Sequence, residues 1–551
     1  MKQLFKLFVG QTGRWGLIRY ISLGLLSGFC SFLFINSVTR VIGLIIGGQM
    51  TIISKEYLLL FCSIILLFVW VRKTLALGII RVSQTLFWRL RKNILQLVLR
   101  ANYRQLAQEK NEVYSAIVSD VNVLTNVSMT LIDFCTACIL SVSCLIYLCT
   151  ISFLLFLITL GVALTGATIY HFRSTKNVDA FREARVLETG FQESFNAILN
   201  GFKEISMDPR KGRDIFEKRI VPISRKAFAN NAAAFSGFLG NQITGQILFY
   251  LLISSVLLIF SITLHIRTSD TISFIFTLLY LLGSIETIML LLPGLARAKI
   301  ASNHLMSLRE RLEKLQYQSA LPASYISRDE FEQISVCGLC YRYSADQDGF
   351  GIGPINFEVE KAEIVFVYGG NGSGKTTFIH SVLGLAMPSA GEILINGQKL
   401  TEENYPVYRT AFAVVFSDFY LFNELVGVDH YDQARWEFYL ELFEITDKVS
   451  LKDGVFSSTD LSAGQRKRLA LIAALLENKP VLVIDEWAAD QDPYFRKKFY
   501  IEILPLLKEE GFTIIAITHD DKYYHCADKL YKMDYGKLSL ERNRVPETQA
   551  L

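Results

Sequence analysis

Ionisable side chains are scarce along much of the first three hundred residues. Neither Tyr20 to Thr39 nor Phe134 to Tyr170 holds an aspartate, glutamate, lysine, arginine or histidine. Such runs exclude an ordinary soluble domain there, because a charge-free stretch of about 20 residues is long enough to cross a bilayer as a helix. Net charge is also small, +4 over 551 residues, and membrane topology accounts for the excess. Nothing in it supports a nucleic-acid partner, and none is expected. Of the nine cysteines, most fall in apolar runs, where cysteine packs as a small apolar residue. Cys337 and Cys340 form a C-x-x-C that no second pair follows to complete a zinc site. They stand in a strand-like run, "ISVCGLCYRY", whose odd spacing predicts thiols on opposite faces. Phe29 before Cys30 breaks the small-residue pattern that a lipid-modified cysteine needs, so the first span reads as a retained helix. Internal repeats and low-complexity tracts are missing as well.

What is present divides the chain. Six spans are expected, over about 16–39, 54–76, 128–148, 152–171, 234–264 and 271–294, within a membrane domain of residues 1–320. The polar "CTIS" at Cys149 to Ser152 is expected to turn the chain between spans three and four. Lysines and arginines crowd the N-terminus and the stretches after spans two and four, whereas the opposite connections are short and nearly uncharged. That asymmetry predicts both termini on the cytoplasmic side. The two inner connections are rich in helix formers and too long for bare loops, so the helices should run on beyond the bilayer. A charged helix, "SNHLMSLRERLEKLQYQ", leads out of span six, and "SALPASYIS" breaks it. A second domain is expected over 329–545.

The second domain mixes charged and apolar residues, and its motifs carry chemistry. "EIVFVYGGNGSGKTTFIH" sets an apolar strand before Gly369, Gly370, Asn371, Gly372, Ser373, Gly374, Lys375, Thr376 and Thr377. This is G-x-x-x-x-G-K-[ST] in the strand–loop–helix setting it requires. Glycines let backbone N–H groups turn inward around phosphate oxygens, and the helix N-terminus adds partial positive charge. Lys375 is expected to contact the outer phosphates and the Thr376 hydroxyl to ligate Mg²⁺. Further on, "PVLVIDEWAADQDP" reads as a buried parallel strand ending in Asp485 and Glu486. An aspartate at that strand end suits a magnesium ligand, and the neighbouring glutamate can orient and deprotonate a water. "FTIIAITHD" ends another apolar strand at Thr518-His519, and His519 is read as a sensor of the terminal phosphate.

In order and spacing, the phosphate loop, "LSAGQ", "VLVIDE", "ADQD" and His519 resemble the ATP-binding cassette (ABC) transporters. The resemblance covers Ser335 to about Lys537, and the six spans ahead of it look like the exporter architecture. It implies an α-helical six-span membrane domain followed by an α/β P-loop nucleotide-binding domain, with ATP and Mg²⁺ as cofactors. In that family one cassette's signature closes over the nucleotide held by the other. Ser462, Ala463, Gly464 and Gln465 are thus expected to act in trans, in a homodimer embedded in a lipid bilayer. By the same resemblance Tyr343 matches the adenine-stacking aromatic and Asp492 joins the nucleotide contacts.

Two positions depart from the family pattern. Ala463 replaces a usual glycine, a change of one methyl group. Ser417, in "VVFSDFYLF", replaces the glutamine that contacts Mg²⁺ and the attacking water; being shorter, it would reach the metal only through water. "VVFSDFYLF", "LSAGQRKRLAL", "DEWAADQDP" and "THDDKYYHCAD" look like the cyclic-peptide exporter branch, which includes pyoverdine and lasso-peptide exporters and tends to carry serine or threonine followed by aspartate at this point. The implied function is ATP-driven export of a cyclic or modified peptide across the bacterial inner membrane into the periplasm; the sequence names no periplasmic or outer-membrane partner. A lipid flippase of the same architecture and an ATP-gated membrane protein are the alternatives. Asp133 and Glu286, acids within apolar runs, are candidate cargo contacts; the competing reading places them near the interface or against a helix-end arginine.

Overall fold

The computed structural model describes residues 2–46, 55–264, 266–314, 325–342, 350–401 and 403–543. They form two compact units, one built by the helices up to Lys314 and one by the α/β chain from Tyr325 onward. In the first, six long helices follow one another: α1 (Lys2–Ile46), α2 (Lys55–Arg100), α3 (Val121–Ile151), α4 (Phe153–Asn200), α5 (Val221–Ser255) and α6 (Thr268–Lys314). Each carries, alone or with its short flanking turns, a segment long and apolar enough to cross a membrane. Helices α2, α4 and α6 have 46, 48 and 47 residues. At 1.5 Å per residue that is about 70 Å, more than twice the hydrocarbon core of about 30 Å, so each projects well beyond it.

Local chemistry sets the breaks. Ser152 is extended (φ −153°, ψ 113°), ending α3 and starting α4. The two long connections turn at Ala101–Asn102 and at Gly201–Asp208. At the second turn the Asp208 carboxylate accepts from Arg210 N–H and Pro209 opens the next helical turn, an arrangement that suits a helix start. Apolar faces meet around Cys144, Leu148, Phe249, Phe274 and Leu278, all buried.

The projecting parts hold a buried polar network. Asp120 ends a π-helical turn at Ala116–Asp120 and is 1% exposed. Arg185 of α4 donates to both of its oxygens at 2.9 Å and to Ser115 Oγ at 2.8 Å. His304 of α6 sets Nδ1 2.6 Å from Asp120 and Nε2 2.9 Å from Glu112, which also pairs with Arg311. Removing one member of a buried pair strands the others and costs about 3–5 kcal/mol. Asp120→Ala should therefore lower the thermal unfolding midpoint of the purified protein clearly. Asp214→Ala, which breaks an exposed pair with Lys218, should change stability by less than about 1 kcal/mol.

The second unit holds two main sheets. A four-stranded antiparallel sheet contains Gln333–Arg342, Gly351–Glu360, Ala390–Ile395 and Gln398–Lys399. In the six-stranded sheet the order is Lys537–Asn543, Lys529–Asp534, Ile364–Tyr368, Thr513–Ile517, Val481–Asp485 and Phe412–Val415. All its pairings are parallel except the one with the last strand in sequence. Alternate residues of its central strands enter separate cores. Phe366, Leu482, Ile484, Ile514 and Ala516 lie in one; Val365, Val367, Val481, Val483, Ile515 and Ile517 lie in the other. Both faces are covered, which is why these strands read as continuous apolar runs.

The cysteine pair corrects one expectation. Gly338 adopts φ +62° and the pairing of Gln333–Arg342 shifts register between Cys337 and Cys340. Buried residues are Ile334, Val336, Leu339 and Tyr341, so the alternation slips by one at the bulge and neither thiol joins the core face. An extra residue in a strand does this; plain alternation would have separated the two.

Candidate active site

Strand register brings the motifs together. Ile517 lies opposite both Val367 and Asp485, and Val415 lies opposite Ile484. The chain segments that leave these strands begin at Gly369, Phe416, Glu486 and Thr518, so all four emerge at the carboxyl edge of the sheet, where α/β sheets bind ligands.

After Ile364–Tyr368 the loop turns through Gly372 (φ +77°) and Gly374 (φ +110°) into the helix Lys375–Val382. A Cβ on Gly374 would stand 2.7 Å from Ile352 Cγ2, so this glycine is needed for space as well as conformation. Gly370, Asn371, Gly372 and Thr376 are exposed, while Ser373, Lys375 and Thr377 are buried. Lys375 Nζ donates to the carbonyls of Gly369 (2.9 Å) and Gly370 (3.1 Å). Burial pulls its pKa below the usual ammonium range, against the opposing fields of Glu486 and Asp485. Ser373 Oγ is buried without a hydrogen-bond partner. A buried ammonium held only by carbonyls, an orphaned hydroxyl and an open helix N-terminus fit a phosphate chain.

Across the sheet edge, Asp485 is 3% exposed and burial raises its carboxyl pKa, with the Ser417 hydrogen bond working against the rise. Ser417 Oγ donates to Asp485 Oδ2 at 3.1 Å. A buried carboxylate holding a serine hydroxyl offers hard oxygen donors, suited to Mg²⁺. When bound, that ion would neutralise phosphate charge. Asp485 and Thr376 would hold it, with Ser417 orienting the aspartate.

Glu486 has φ +49°, an uncommon conformation for a residue with a side chain, and one that needs support from its surroundings. Its N–H donates to Ile517 O at 3.1 Å and its carbonyl accepts from Lys467 Nζ at 3.0 Å. Lys467 is itself paired with Asp490, and its carbonyl accepts from Trp487 Nε1. The Glu486 carboxylate then meets His519, with Nε2 3.0 Å from Oε1. A base and a histidine held together at a phosphate-binding edge can orient and deprotonate water.

The signature lies at the start of the helix Ala463–Leu476. Ser462 caps it, accepting from Gln465 N–H while Gln465 Oε1 accepts from Ser462 N–H. Ser462 and Ala463 are exposed. Asp492 caps the helix Pro493–Lys498 and pairs with Arg468 at 3.1 Å. Tyr343 lies outside the described residues. Sequence reasoning missed Lys467, Arg468 and Gln491, whose partners lie about 20 residues or more away along the chain.

A protein-family model described as ABC transporter matches residues 352–489. ATP-binding protein SyrD of Pseudomonas syringae pv. syringae is 32% identical over 401 residues, 71% of this chain and 71% of that protein. The chain belongs to the ABC transporter family. Energy-coupling factor transporter ATP-binding protein EcfA1 of Streptococcus pneumoniae serotype 2 is 30% identical over 218 residues, 37% of this chain and 78% of its own. A solved bacterial Atm1-family ABC exporter with ATP bound covers 97% of this chain and 94% of its own at TM-score 0.76 and 17% identity, which shows the shared fold. This ABC transporter is thus a multi-pass membrane protein of exporter architecture that couples ATP hydrolysis to transport.

Ser417→Ala would remove the hydroxyl that orients Asp485. Loss of such an outer partner typically weakens metal binding about 10- to 100-fold. The Mg²⁺ concentration for half-maximal ATP hydrolysis should rise accordingly, with turnover at saturating Mg²⁺ much less affected.

Proposed function

We propose that this ABC transporter works as a homodimer in the bacterial inner membrane and exports a cyclic or modified peptide to the periplasm. The cassettes and both termini face the cytoplasm in this reading, as the distribution of lysine and arginine favours. One chain carries one cassette, and its signature presents an exposed helix N-terminus at Ser462 and Ala463. A second copy would bring its phosphate loop against that end, giving two identical composite sites. Glu486 would activate water, His519 would hold the glutamate and sense the terminal phosphate, and Lys375 would hold the outer phosphates. ATP binds the closed pair better than the open one, so nucleotide shifts the population toward closure and hydrolysis releases it.

The observation that carries the cargo reading is a cavity of about 740 Å³ in the helical unit. That volume lies within the range of small-molecule sites. Leucines line it together with Thr136, Tyr280, Ser284, Thr287 and the Arg72–Asp133 pair, joined at 2.9 Å. Thr136 Oγ1 is buried there without a partner. Apolar wall, free hydroxyl and a self-neutralised ion pair favour an amphipathic cargo of balanced charge. Asp133 lines this cavity while paired with Arg72, which lies inside its helix and away from either end. Glu286 instead accepts from Gln246 Nε2 at 2.7 Å, between α5 and α6, and is not among the residues lining the cavity.

The test is ATP hydrolysis by the protein in lipid nanodiscs, with and without a panel of cyclic peptides. Glu486→Gln should lower turnover by about 10²–10⁴-fold, the usual share of a general base, with ATP still bound. One peptide should stimulate the wild type, and Asp133→Asn should shift that peptide's half-stimulating concentration while basal turnover stays unchanged. Stimulation by lipids and by no peptide would point to a flippase. ATP bound without turnover would point to a nucleotide-gated protein.

A further inference from the structure

A chain of hydrogen bonds crosses the cassette from the signature to the histidine at the phosphate edge. Gln491, 4% exposed, donates through Nε2 to Gly464 O at 3.1 Å and accepts from Arg468 Nε at 2.9 Å. A Cβ on Gly464 would lie 3.0 Å from Asp490 O, so the signature and this loop are in close contact. Arg496 grips the same loop, with Nη2 donating to Ala489 O at 3.1 Å and Gln491 O at 3.2 Å. Its Nη1 donates to Asp520 Oδ1 at 3.2 Å. The other oxygen of Asp520 accepts from Tyr500 OH at 2.9 Å, and that hydroxyl lies 2.6 Å from Thr518 Oγ1. Asp520 N–H closes the ring by donating to Thr518 Oγ1 at 3.0 Å. His519 stands between these two clamped residues.

The central members have little freedom. Tyr500 is 2% and Thr518 3% exposed. The Tyr500 ring stacks on Tyr523 at 4.6 Å and meets the edge of Phe366 from the central strand. Around Tyr500 and Thr518 each hydrogen bond is strong and a missing partner is expensive, which favours one arrangement of these two side chains with Asp520.

We propose that Tyr500 and Arg496 are positioning residues that set His519 according to the state of the signature. This rests on the homodimeric reading above. There, the signature closes on the partner's nucleotide, while His519 and Glu486 serve the chain's own phosphate loop. Movement of Gly464 on closure would pass through Gln491 and Arg496 to Asp520, and Tyr500 would hold Asp520 and Thr518 in one arrangement about His519. The two ATP sites are thereby coupled through each chain.

The experiment uses the full-length protein in lipid nanodiscs and measures hydrolysis against ATP concentration, with nucleotide binding and thermal unfolding alongside. Tyr500→Phe keeps the ring and removes only the hydroxyl. It should lower kcat about 10-fold, as small misplacements at a distance do, bring the Hill coefficient for ATP from above one toward one, and leave ATP affinity unchanged. Gln491→Ala should do the same. Because both break one network, the double variant should lose no more than the worse single one. Wild-type turnover and cooperativity in Tyr500→Phe would overturn the proposal. So would losses that multiply, a wild-type Hill coefficient of one, or turnover that falls only in step with ATP affinity and stability. Undiminished hydrolysis by Glu486→Gln, or particles holding a single copy, would instead overturn the reading beneath it.

Discussion

The register of four parallel strands is the constraint on which the cassette depends. Ile517 faces Val367 on one side and Asp485 on the other. The side chains of these strands alternate between two filled cores. A slip of one residue would exchange every one of them between faces. It would also move Glu486 and His519 out of step. Packing energy spread over the sheet therefore holds a contact of 3.0 Å between two exposed-edge side chains. The chemistry needs no separate scaffold, because the apolar periodicity that folds the sheet also aligns its ends.

Buried charge is handled differently in the two units. Asp120 in the helical unit is permanently matched, by Arg185 and His304 together. Lys375 and Asp485 in the cassette are matched only in part, one by backbone carbonyls and the other by a serine hydroxyl. Burial shifts both toward their neutral forms. A phosphate chain and a divalent cation would favour their charged forms, so ligand binding would offset a penalty built into the fold. The same logic separates a structural ion pair from a binding site: the first is complete without a ligand.

How much was legible follows from how far each signal reaches along the chain. The phosphate loop was legible because its glycines, its lysine and the strand before it lie within a dozen residues, and positive φ at Gly372 and Gly374 is a local demand. Spans were legible because absence of charge is also local. Ser152 as a break needed only its own stretch. The bulge at Gly338 was not legible, since a bulge belongs to a pair of strands and the partners lie in Gly351–Glu360 and Ala390–Ile395. Nor was the pairing of Asp133 with Arg72, separated by 61 positions, or of His304 with Asp120, separated by 184. Such contacts exist only after helices pack, and no spacing rule in one sequence announces them.

Ser417 joins these strands of reasoning. A glutamine at this position could span to a metal and a water by itself. Serine cannot, and here its hydroxyl is turned to Asp485. The carboxylate that would activate water stands on a different strand end, at Glu486, supported by Lys467, Ile517 and His519. Those supports owe nothing to Ser417. Shortening the side chain therefore leaves the base in place and confines the serine's influence to the aspartate. On the proposed roles, water activation and metal orientation, which one long side chain would link, would fall to separate groups in this protein. That separation would make the substitution compatible with a working motor.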